Sequence, residues 1–128
     1  MRIDPQTDRA MIDALRAEPS VGPHIRRPWL QLLSAVLGLA GPHAGLLRHA
    51  ERAWASVTFS GTRHTIELQF NGAYGVADAE RFIEVLPEHE FDLSRHIVAD
   101  ANVVAMQQSI LPAPHAVVEI EILLLDDC

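Results

Sequence analysis

The sequence predicts an α+β fold in which N-terminal helices are followed by β-β-α-β-β, giving a four-stranded, mostly antiparallel sheet with helices packed on one face. Three observations predict it. Apolar spacing changes from a period of 3.6 to a period of 2 near Ala55. Two pairs of alternating segments then follow, and one amphipathic, helix-length segment separates the pairs.

The helical part comes first. Asp4-Pro5 reads as an N-cap with proline at the first helical position, opening a helix to about Ala17 with Met11, Ala14 and Leu15 as its apolar stripe. Pro19 to Pro28, rich in proline, reads as irregular connection. Pro28 opens a second helix whose Trp29, Leu30, Leu32, Leu33, Val36, Leu37 and Leu39 cover most of its circumference, the mark of a helix buried on several sides or used in an interface. Pro42 opens a third, reaching Trp54. Its Leu46, Leu47, Ala50, Ala53 and Trp54 fall on one helical face, and Arg48, Glu51 and Arg52 point away.

The strands follow from alternation. Ala55, Val57 and Phe59 alternate with polar residues, as do Ile66, Leu68 and Phe70. A two-residue turn at Gly61-Thr62 pairs Phe59 with His64, Val57 with Ile66 and Thr58 with Thr65, placing every apolar residue on one face. A helix from about Val76 to Leu86 buries Val76, Ala79, Phe82, Ile83 and Leu86 and stops at Pro87. After the polar loop Glu88–Arg95, strands at about 96–107 and 116–125 form a second hairpin. Ile97, Ala99, Ala101, Val103 and Ala105 face Val118, Ile120, Ile122 and Leu124. Asp100, Asn102, Glu119 and Glu121 then share the opposite face with Val98, Val104, Met106, Leu123 and Leu125.

Composition bounds the function. At 128 residues, 48% hydrophobic and 21% charged, the chain fits a single α+β domain over 1–128, with a helical part at 1–54 and a β-β-α-β-β part at 55–128. Its positive side chains are arginine throughout, with no lysine, which reads as codon bias of a GC-rich bacterial genome. The net charge of −7 divides into +2 over residues 1–54 and −9 over 55–128. An acidic β half repels phosphate backbones and argues against nucleic acid. The single cysteine, Cys128, excludes an intramolecular disulfide framework and a thiolate zinc cluster, and the simplest compartment is the cytoplasm. Residues 28–47 carry no acid, lysine or arginine and have the length of a membrane span. Gly41-Pro42 in the middle favours two short buried helices instead, making membrane association the weaker alternative.

Few residues gather into chemistry. His89, Asp92 and His96 lie close together on one loop and are candidate ligands for a divalent metal, although Leu93 stands where the metalloprotease helix motif needs its second histidine. Asp100, Glu119 and Glu121 crowd one sheet face, an arrangement that can raise one carboxyl pKa for acid–base work. His64 is expected to face the core opposite Phe59, as a hydrogen-bonded core histidine or a catalytic one. His24, His43, His49 and His115 have no assignable partner. No Gly-x-Ser-x-Gly elbow or phosphate-cradling loop is present, so no cofactor is predicted beyond a possible divalent metal. The sequence names no substrate or small-molecule ligand. Its leading expectation is an acidic, non-enzymatic interaction domain that homo-oligomerises or binds a protein partner. The alternative is a small enzyme or metal-binding protein using the loop at 88–96.

Overall fold

A computed structural model describes residues 23–126, with side chains from Pro28 onward. The elements are helix α1 (Pro23–Ala40), strands β1 (Ala44–Ala55) and β2 (Ser60–Asn71), helix α2 (Gly72–Val85) with a 3-10 turn at Leu86–Glu88, and strands β3 (His96–Ser109) and β4 (His115–Asp126). The four strands form one antiparallel sheet in the order β1-β2-β4-β3. The helices lie against one face of it, so the α+β, β-β-α-β-β architecture is the one expected. The helix expected over Asp4–Ala17 lies outside the described residues.

The central pair holds the core. β2 and β4 run from Gly61 opposite Leu125 to Asn71 opposite His115 without a register shift. Ile66, Leu68 and Phe70 on β2, and Ala116, Val118, Ile120 and Ile122 on β4, are fully buried. Against this face α1 sets Trp29, Leu32, Leu33, Val36 and Ala40, and α2 sets Ala79 and Phe82, with Phe82 against Phe70 at 5.9 Å between ring centres. Such close-packed burial removes apolar surface from water and is the main favourable term in folding.

Three local expectations are corrected. Helix α1 begins at Pro23 rather than Pro28, so 23–27 is not irregular connection; Pro28 forgoes a hydrogen bond to the preceding turn, but its fixed φ suits a helix. The third helix over 42–54 does not form. Gly41, with φ of +103°, ends α1, and residues 44–55 pair along the whole of β2 as a strand. A bulge between Leu46 and Arg48 resets the alternation, so the inward residues run Ala44, Leu46, His49, Glu51 and Ala53. The three-residue step from 46 to 49 is what imitates a helical period. Finally, the first hairpin turns at Ser56–Phe59 rather than at Gly61-Thr62. Ser56 closes this turn by accepting the Phe59 N–H at its Oγ (3.1 Å) and donating its own N–H to the Phe59 carbonyl (2.8 Å). Val57 is therefore fully exposed and Phe59 is 51% exposed, while Glu51 rather than Phe59 stands opposite His64.

The second hairpin has the expected strands with an altered face. Bulges between Val98 and Asp100 and between Val103 and Ala105 turn Val98, Ala101, Val103 and Met106 toward the core. Ile97, 58% exposed, falls instead on the outer face opposite Leu125. The segment 28–47 crosses from helix through a turn into a strand, and no described helix is long and apolar enough to span a membrane.

Gly61 carries the tightest approach in the sheet. A Cβ there would lie 2.1 Å from the Leu124 carbonyl oxygen and 2.9 Å from the Leu125 Cα, both backbone atoms that cannot swing aside. Gly61→Ala is expected to destabilise the protein by more than ~2 kcal/mol in urea unfolding, whereas Val57→Ser should change stability by less than ~0.5 kcal/mol. Equal effects of the two would contradict the strand and turn assignment.

Candidate functional site

The bulge in β1 has a chemical consequence. It brings His49 to the inner face, two residues before Glu51, which sits directly opposite His64 on β2. On a pleated sheet, side chains two apart on one strand and their cross-strand neighbours share a face, so these three converge. His49 Nε2 and His64 Nδ1 are 3.0 Å apart and joined by a hydrogen bond. The Glu51 Oε2 lies 3.8 Å from His64 Nδ1. Among the described residues this is the one set of three histidine, cysteine or acidic groups whose ligand atoms all fall within 4.8 Å of one another.

Trp29, on α1, roofs the pair. Its indole stacks on the His49 ring at 3.5 Å between centres and 8° between planes, and on His64 at 5.5 Å and 12°. His49 is 4% exposed and His64 2%, whereas the Glu51 side chain is 54% exposed. The cluster thus lies at the rim of the core, with buried nitrogens and a carboxylate in water.

Burial disfavours the charged imidazolium. It pushes His49, which also feels His64 beside it, down to about 3, and it pushes His64 down to about 4. Both rings are neutral at pH 7, one donating and the other accepting the hydrogen bond between them. The Glu51–His64 approach is therefore not an ion pair at that pH.

The residues singled out from the sequence are distributed differently. His64 is buried as expected, but its partners are His49 and Trp29. His89 is exposed, its ring nearly perpendicular to that of Phe91 with 4.6 Å between centres. Asp92 is exposed beside an open cleft lined by Leu30, Gln31, Ser34 and Leu93. His96 donates from Nδ1 to the Ser94 carbonyl at 3.1 Å and lies 3.8 Å from Asp126. These three are not gathered into a ligand set. Asp100, Glu119 and Glu121 do share the outer sheet face, yet they do not crowd alone. Arg63 reaches Glu121 at 3.4 Å, Arg48 lies 2.9 Å from Glu67 and 3.9 Å from Glu119, and Asn102 donates to Asp100 at 2.8 Å. Cations from β1 and β2 thus interleave with acids from β4. His43 also acquires a partner, Asp78, at 3.0 Å.

Compared with known proteins, the chain matches no family model, no curated protein and no solved structure.

His49 escaped sequence reasoning because the three-residue step at the bulge placed it on a presumed helix. The available signal was a His-x-Glu spacing that, on a strand, projects both side chains to one face.

The buried pair sets the pH response. A histidine with a depressed folded pKa binds fewer protons folded than unfolded, so its contribution is complete above the ordinary value of about 6.5 and is lost as pH falls toward 3–4. Each unit of depression corresponds to about 1.4 kcal/mol. In the presence of a chelator, the urea midpoint is expected to fall steadily from pH 7 to pH 4.5. A His49→Phe/His64→Phe variant should lose most of that slope, and an unchanged slope would contradict the assignment.

Proposed function

We propose that this domain works as a non-enzymatic interaction module and that its outer sheet face binds a second copy of itself. The observation that supports this reading is the self-complementary arrangement of that face. Register aligns its residues in rows across the four strands. One row reads Trp54, Gly61, Leu125, Ile97, and the next reads Arg52, Arg63, Leu123, Asp100. Arg48, Arg52 and Arg63, with Glu67 among them, sit on the β1–β2 side, and Asp100, Glu119 and Glu121 sit on the β4–β3 side.

A two-fold axis in the interface, parallel to the strands, lays β1 over β3 of the other copy and β2 over β4 while preserving the rows. Such isologous pairing is the commonest route to a homodimer. Arg52 then faces Asp100 of the partner subunit, and Trp54 faces Ile97 of the partner subunit. An apolar end with a charged remainder suits an interface core with a polar rim.

Light scattering at micromolar concentration is expected to return twice the chain mass; a monomer overturns the reading. Arg52→Glu should weaken the dimer roughly tenfold or more by setting like charges together, and Arg52→Glu/Asp100→Arg should restore it.

A further inference from the structure

We propose that His49, His64 and Glu51 form a binding site for one divalent transition-metal ion of the zinc class. The donor set fits that ion: two imidazole nitrogens and one carboxylate oxygen are borderline ligands of the kind zinc takes, with no thiolate to select a softer metal. The geometry fits as well. Ligands bound at about 2.0–2.1 Å around a tetrahedral ion lie roughly 3.3 Å from one another. His49 Nε2 and His64 Nδ1 stand 3.0 Å apart and Glu51 Oε2 stands 3.8 Å from His64 Nδ1, so shifts of a few tenths of an ångström bring those two pairs to tetrahedral spacing, and all three ligand atoms lie within 4.8 Å of one another.

Four further features support occupancy. An ion bound by both nitrogens replaces their shared hydrogen bond without stranding either atom. The side chain of Glu51 is 54% exposed, which provides an approach from solvent and leaves a fourth corner for water. Arg48, Arg52 and Arg63, the arginines of β1 and β2, all lie on the opposite face of the sheet. Trp29 fixes the His49 ring at 3.5 Å, and an imidazole drained of electron density by a cation stacks more favourably on an indole face.

The test uses the full chain, stripped with chelator and titrated with Zn2+ against a chromophoric competitor. One ion per chain is expected, with the ring nitrogens of His49 and His64 the ones that shift in histidine-selective NMR. Glu51→Gln, a change at an exposed side chain that leaves the core intact, should weaken binding by at least about tenfold, the loss that even an outer-shell partner typically causes. His49→Phe should abolish it. Because His49→Phe alters the core, Glu51→Gln decides the matter if that variant fails to fold. The proposal is overturned by absence of stoichiometric binding, by an affinity unchanged in Glu51→Gln, or by shifts at His89, His96 or His115 instead.

Discussion

The β2–β4 ladder is the constraint on which the rest of this structure depends. Its pairing from Gly61–Leu125 to Asn71–His115 is unbroken, and every inward side chain from Ile66 to Phe70 and from Ala116 to Ile122 is shut off from water. A central strand is hydrogen-bonded on both sides and has no slack for an extra residue. The irregularities therefore appear in the edge strands, as one bulge in β1 and two in β3. At Gly61 the approach is so close that only hydrogen fits where a side chain would stand.

Those bulges decide which chemistry falls on which face. In β1, one extra residue sends His49 and Glu51 inward and Arg48 and Arg52 outward. The inner face then ends in a neutral histidine pair under Trp29, and the outer face in a lattice of arginines and acids. Without the bulge the two sets would exchange faces, since a shift of one residue inverts every side chain beyond it. The proposed metal site and the proposed dimer surface are thus two sides of one register.

Burying two imidazoles is unfavourable unless their polar atoms are satisfied. The hydrogen bond between the rings offsets part of that cost, and keeping both neutral avoids the larger cost of a buried charge. A fully apolar pair would pack there at less risk. The histidines accordingly stand out as the polar exception in an otherwise apolar core, beside a carboxylate that stays in water.

The sequence by itself determined the fold class, the alternating faces of β2 and β4, helix α2 with its Phe82 stripe, and the acids on the outer face. These rest on local periodicity uninterrupted over a whole element, which any correct fold must honour. Tertiary structure decided the rest. Residues 44–55 became a strand because pairing with β2 along its whole length outweighed an apparent helical spacing, and Val98 and Met106 turned inward because bulges are a property of two paired strands. For the same reason His49, Glu51 and His64 could not be joined from sequence: their meeting depends on cross-strand register, which periodicity within one segment does not contain.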